Sequence, residues 1–209
     1  MRPTITRANA LKAALLVSFH SAPLVPSIAT AVYIQADDKS FDMTLPDTWQ
    51  GQPLTRGTPP QLFSLSSMRR DASLDLTVDI ADASDWGKKF APKRLTEIDI
   101  KEVGDRLCSQ QPQPAMLLQA DKVAAGANGL FSLAMYVLRY KHIEGQTIVA
   151  LALAQGRAFR LTLQLPAEPD AALLAEAESI LKSYRAFPLN AGCLAASNKG
   201  QKALPGVCY

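Results

Sequence analysis

The chain has little of what catalysis and metal binding draw on. Its 209 residues contain three cysteines and two histidines. One histidine, His20, lies in a stretch that reads as a removable leader. That leaves His142, and a His-based metal site draws on several His or Cys ligands together. No Gly-x-Ser-x-Gly nucleophile turn is present, and Gly126-Ala127-Asn128-Gly129 lacks the Gly-Lys-Ser/Thr of a phosphate loop. No apolar run reaches the roughly 18 to 20 residues that a membrane-crossing helix needs. Outside the first residues no basic run exceeds a pair such as Arg69-Arg70 or Lys88-Lys89. Nucleic-acid binding needs clustered Lys and Arg to neutralise phosphates, so that class is excluded, and attraction to an anionic membrane surface is weak for the same reason.

Acid is also missing from the whole N-terminus. No Asp or Glu precedes Asp37, while Arg2, Arg7 and Lys12 are basic. An apolar run from Ala13 to Phe19 follows, then a stretch broken by Ser21, Pro23 and Pro26 that ends in Ala29-Thr30-Ala31. That order predicts a secretory signal peptide over residues 1–31 with a small-x-small cleavage site; an acid-poor mitochondrial presequence is its competitor. No Cys follows the apolar run to carry a lipid. Removing residues 1–31 lowers the 22 Lys and Arg to 19, equal to the 19 Asp and Glu, so the 178 remaining residues are neutral overall. A periplasmic or secreted location follows as the expectation.

What is present fits one folded domain. Nearly half the residues are apolar and a fifth are charged, which excludes general disorder. In an exporting compartment the cysteines become informative. Cys193 and Cys208 lie close together near the C-terminus and are expected to pair; closing such a loop is worth roughly 3 kcal/mol in the chain-entropy model. Cys108 is then the odd one, either a small buried hydrophobe or a reactive thiol. The domain is read as residues 32–187 and the disulfide-stapled tail as 188–209.

Alternation marks the strands. Val32–Ile34 and Phe41–Leu45 open the domain, and Pro46 ends the second. Residues 51–60 hold Gly51, Pro53, Gly57, Pro59 and Pro60 and read as a loop. Strands follow at 61–68 and 74–80, then a loop at 82–87 around Trp86. Leu95, Ile98, Val103 and Leu107 predict a helix over 92–108, weakened by Gly104. Four apolar runs at 116–119, 130–140, 147–154 and 157–165 predict an antiparallel meander, with turns at Glu144-Gly145 and Gln155-Gly156. Leu173, Leu174, Ala177, Ile180, Leu181 and Tyr184 recur at helical spacing, and Pro188 stops that helix.

Two segments carry a resemblance: Phe41-Asp42-Met43-Thr44-Leu45-Pro46-Asp47-Thr48-Trp49 at the front and Ser179-Ile180-Leu181-Lys182-Ser183-Tyr184-Arg185 at the back. With the element order between them, residues 33–187 resemble the Mog1/PsbP-like superfamily, nearest to the bacterial DcrB-like (DUF1795) proteins. The resemblance implies an α+β fold, an antiparallel sheet with helices packed against it. Its members are mostly non-enzymatic: they stabilise photosystem subunits, bind a small GTPase, act as adaptor chaperones or serve as envelope lipoproteins. The expectation is an exported protein without catalytic residues, cofactor or metal, which binds another envelope or secreted protein.

Trp49 and Trp86 border loops and are candidate partner contacts, although a Trp in a small domain is more often part of the core. Two other readings stay open. One is a small periplasmic immunity or inhibitor protein. The other is a small-molecule-binding or hydrolytic domain, which needs a pocket between sheet and helices that gathers Asp75, Asp79, His142 or Arg160. Asp75, Asp79, Asp82 and Asp85 together read either as a calcium site or, more simply, as a solvated strand face.

Overall fold

The computed structural model describes residues 30–80, 100–109, 114–154 and 156–199. Trp86, Asp82, Asp85, Cys208 and the leader up to residue 29 lie outside these. So do residues 92–99 of the expected first helix. In chain order the strands are β1 (Ala31–Gln35), β2 (Phe41–Pro46), β3 (Gln50–Arg56), β4 (Gln61–Arg69) and β5 (Ala72–Ile80). Helix α1 (Ile100–Ser109) leads to β6 (Met116–Val123), β7 (Met135–His142), β8 (Gly145–Ala154) and β9 (Arg157–Pro166). Helix α2 (Ala171–Ser183), β10 (Arg185–Ala186) and α3 (Ala191–Asn198) close the described chain.

The strands form two antiparallel sheets. The large one has the order β3-β4-β5-β9-β8-β7-β6, and the small one the order β1-β2-β10. This is the expected α+β architecture. Alternation sorts the faces. Phe63 and Leu65 of β4, Leu74, Leu76 and Val78 of β5, and Phe159, Leu161 and Leu163 of β9 point to one face of the large sheet. Phe41, Met43 and Leu45 from the small sheet and Leu173, Ala177 and Ile180 from α2 cover them. Phe41 meets Phe63 edge to face at 5.8 Å, which ties the two sheets directly. On the opposite face α1 seats Val103 and Leu107 on Leu138, Tyr140, Val149 and Leu151.

Two expectations need correction. Residues 51–56 are not loop but most of β3. Gly51 is there because its neighbour runs so close: a Cβ would lie 2.3 Å from the Ser66 carbonyl oxygen. Pro53 is tolerated because β3 is an edge strand and bulges between Gln52 and Thr55. The run 130–140 becomes strand only from Met135, since Leu130 to Leu133 belong to a hydrogen-bonded loop. In the tail, α3 buries Cys193, and Leu189 before it is buried as well. Gly104, which weakened the helix on propensity, is where α1 presses closest. A Cβ there would lie 2.6 Å from a Leu117 methyl.

Asp170 caps α2, its carboxylate accepting from the Leu173 N–H at 2.6 Å. Three polar ties then fix the small sheet and α2. Arg185 grips Asp42 through two bonds of 2.7 Å, and the Tyr33 hydroxyl donates to the same carboxylate at 2.8 Å. Glu176 of α2 accepts from the Trp49 indole N–H and the Thr48 hydroxyl, both at 3.0 Å, and pairs with Arg69. Deepest is Asp38, in the β1–β2 turn, which pairs at 2.9 Å with Arg157 at the start of β9. Both side chains are fully buried. Burial holds the Arg157 guanidinium below its ordinary pKa, and Asp38 pulls it back up. Replacing Asp38 by Ala leaves that cation buried without its carboxylate. Asp38→Ala is expected to cost about 3–5 kcal/mol of unfolding free energy, read from urea melts of the purified protein.

Candidate functional site

Of the residues expected to supply chemistry, Asp75, Asp79 and Arg160 share one face of the large sheet and His142 stands apart from them. Asp75, Thr77 and Asp79 share the face of β5 opposite the main core, beside Arg160 and Thr162 of β9. Asp75 accepts from the Ser66 hydroxyl at 2.7 Å. His142 stands at the far end of β7, 3.3 Å from the Thr147 hydroxyl. It is opposite Gly145, which in turn faces Pro166. Arg160 lies six positions along β9 from Pro166, roughly 20 Å at the rise of an extended strand. His142 instead shares a shallow cavity with Arg70, Asp71, Ser73 and Glu144. Among the described residues no three His, Cys, Asp or Glu side chains gather as metal ligands.

Trp49 is not a surface contact. It is 4% exposed, packs into the main core and spends its indole N–H on Glu176. The Pro46–Trp49 turn therefore locks β2 to α2, and the expected partner contact at Trp49 gives way to a structural one. Cys193 is buried in α3, its N–H donating to Asn190 Oδ1 at 2.8 Å and its sulfur 3.4 Å from the Asp38 carbonyl oxygen. Cys108 is a free, half-buried thiol whose pKa is pushed up by burial and then by Asp105. No helix among the described residues is long and apolar enough to cross a membrane.

The surface feature that stands out was missed because it reads as part of a strand. Between β6 and β7 the chain makes a compact loop. Gly126 N–H donates to the Ser132 carbonyl at 2.9 Å, Gly129 N–H to Gly126 and Ser132 N–H to Gly129. Leu133 N–H reaches Ala186 of β10 at 2.7 Å. Gly126 and Gly129 take positive φ, as the turns require. At the tip Leu130 and Phe131 are 85% and 81% exposed. Phe131 itself has φ of 65°, a conformation that costs a non-glycine residue of this bulk about 1–3 kcal/mol. A loop that holds Leu130 and Phe131 outward, at the expense of strain, is not explained by packing.

Beside the loop a cavity of about 320 Å3 opens between β6, β7 and α2. Val123, Met135, Val137 and Leu181 form its apolar floor; Asp121, Arg139, Glu178 and Lys182 stand on its rim. Asn128 belongs to both loop and cavity. Apolar floor, charged rim and a neighbouring aromatic tip are the composition of a protein contact surface.

With the geometry in view, the comparisons are specific about fold. The solution structure of cyanobacterial PsbP (CyanoP) from Synechocystis sp. PCC 6803 matches 81% of this chain and 99% of that one, with a TM-score of 0.55 and 16% identity. The fold is PsbP-like. Two looser likenesses are LpqN of Mycobacterium tuberculosis, described as involved in cell envelope biogenesis, and PA94 of Pseudomonas aeruginosa, described as a putative regulator. LpqN has a TM-score of 0.37 and 17% identity over 76% of this chain and 91% of its own. PA94 has 0.33 and 14% over 73% and 91%. No protein-family profile and no curated protein matches the sequence.

On the polar face of the sheet, burial raises the pKa of Asp79, and the Thr77 hydroxyl and Arg160 oppose the rise. The folded state therefore holds this proton to higher pH than the unfolded chain does. Its contribution is present while the carboxyl is neutral and is lost as pH rises through the raised value. Asp79→Asn is expected to raise the thermal midpoint at pH 7 and to lose that gain at about pH 3, below the ordinary Asp value. Melts of both proteins across this interval check it; a gain that grows towards acid contradicts the assignment.

Proposed function

We propose that this protein is an exported, non-catalytic binding protein of the cell envelope that holds a second envelope or secreted protein through the Leu130–Phe131 loop. The observation that carries the reading is the strained, hydrogen-bonded presentation of two adjacent large apolar side chains beside an apolar cavity. Such a pair supplies the buried anchor of an interface while rim charges set its orientation. Asp75, Asp79 and Arg160 share the polar face of the sheet while His142 stands at the far end of β7, which supports the binding reading over the hydrolytic one.

In this reading residues 1–31 are a secretory leader, and Cys193 pairs with Cys208 to staple the tail. Cleavage after Ala31 leaves the four pairs from Val32↔Leu45 to Gln35↔Asp42 that hold β1 to β2. Intact mass of the secreted protein is expected to give a chain beginning at Val32, two hydrogens lighter than its reduced form. Cys108 then reacts alone, and slowly, with an alkylating agent near neutral pH, as its raised pKa requires. Retention of Met1, or three thiols without reductant, contradicts it.

The loop itself is tested by separating binding from stability. Phe131→Gly relieves the left-handed backbone and is expected to stabilise the fold by up to about 1 kcal/mol. The same change removes the anchor, so photocrosslinking from position 130 to the partner in intact cells is expected to disappear. A variant that is stabilised yet crosslinks as before overturns the assignment of the loop.

A further inference from the structure

Two sheet edges face a common groove on another part of the molecule. A cavity of about 410 Å3 is lined by Val32, Tyr33, Ile34 and Gln35 of β1 and by Gly51, Gln52, Pro53 and Leu54 of β3. On each strand the lining residues are consecutive, not alternate. A strand face contributes every second residue, so it is the strand edges, with their backbone groups, that border this groove. The two strands belong to different sheets and are not paired with one another. Among the described residues each has one partner, which leaves alternate N–H and C=O groups directed away from it.

The edges differ in how open they are. In the large sheet, β3 carries Pro53 and a bulge, and β6 carries a bulge at Leu118 and the charges of Asp121 and Lys122. In the small sheet, β10 is two residues long and its Ala186 carbonyl is taken by Leu133. These are the usual means of blunting an edge. Strand β1 has none of them. Ala31–Gln35 contains no charge, no Pro and no Gly, and its pairing with β2 runs without a bulge.

The floor is also unfinished. Val32 lies on the core-facing side of β1, opposite Leu45, yet remains 55% exposed. Leu45, Trp49 and Leu65 line the bottom. Beside them is Ser67, next on the inward face of β4 after Phe63 and Leu65, where the alternation asks for an apolar residue. It is 2% exposed, and its hydroxyl has no hydrogen-bond partner. A buried, unpartnered hydroxyl among apolar groups costs free energy unless something accepts its bond.

We propose that this groove binds an extended, uncharged polypeptide segment of another protein, which adds to β1 as a further strand of the small sheet. Main-chain bonds to β1 give affinity, alternate apolar side chains fill the space beside Val32, Leu45 and Leu65, and Ser67 bonds the segment from the floor. No lining residue is charged, so a charged segment would meet no counter-ion. The site is separate from the Leu130–Phe131 loop and stands whether or not that loop holds a partner.

The test titrates isotopically labelled full-length protein with an acetylated, amidated seven-residue peptide of alternating Thr and Val. Amide signals of residues 31–35 and of Gly51, Gln52 and Leu54 are expected to shift. N-methylation of alternate peptide nitrogens should weaken binding about tenfold or more, since main-chain bonds carry the affinity. Ser67→Ala is expected to weaken binding roughly threefold to tenfold while folding at least as stably as the parent. A protein with Leu130→Ser and Phe131→Ser should bind the peptide unchanged. Absence of binding at millimolar peptide overturns the proposal. So do equal affinity for the methylated peptide, shifts confined to the 124–134 loop, or a Ser67→Ala protein that binds as tightly as the parent.

Discussion

The buried pair of Asp38 and Arg157 is the constraint on which the arrangement of the two sheets depends. Arg157 opens β9, the central strand of the large sheet, and Asp38 sits in the turn of the small one. Asp38 also accepts from the Ser40 N–H at 2.9 Å, which fixes the turn, and its carbonyl lies against Cys193 of α3. One residue thus joins three segments far apart in sequence, its carboxylate holding the turn and β9 and its backbone carbonyl lying against α3. Apolar contact between the sheets, such as Phe41 on Phe63, is stabilising but not directional. A desolvated ion pair tolerates little displacement, since a partner moved away leaves an uncompensated charge. The pair therefore sets where the small sheet lies, and the Asp42–Arg185 and Trp49–Glu176 ties set its tilt.

The two proposed binding surfaces follow from that placement. Because the small sheet is held over the large one as a separate layer, β1 does not continue the ladder of β3, and a groove remains between their edges. Because β10 is pinned to β2 by Arg185, its Ala186 carbonyl is available to Leu133, which anchors the loop that displays Leu130 and Phe131. Both surfaces are thus consequences of polar ties to the small sheet rather than of the large sheet alone.

Most of the frame was legible because it rests on period. Leu74, Leu76 and Val78, or Phe159, Leu161 and Leu163, alternate with polar residues, and only a half-polar strand face explains that. Asp170 and the apolar stripe from Leu173 to Tyr184 mark α2 in the same way. What was illegible breaks the period for a reason outside the segment. Gly51 and Pro53 look like loop unless the closeness of Ser66 and the edge position are known. Leu130 and Phe131 look like the start of a strand because sequence does not tell an apolar residue facing the core from one facing water. Asp38 and Arg157 are separated by 119 positions, and nothing local in either points to the other. Trp49 carried two readings, and only the position of Glu176 decides between them.

An open strand edge is ordinarily a hazard, since any other open edge can extend it. The groove limits this through its second wall. A segment that adds to β1 next meets β3, where Pro53 lacks an N–H and the bulge between Gln52 and Thr55 breaks the register. The ladder cannot be continued there, so the site takes one strand and stops. The chain has kept one edge available and placed a non-pairing edge beside it. That combination admits a single extended segment and denies the repeated addition from which fibres grow.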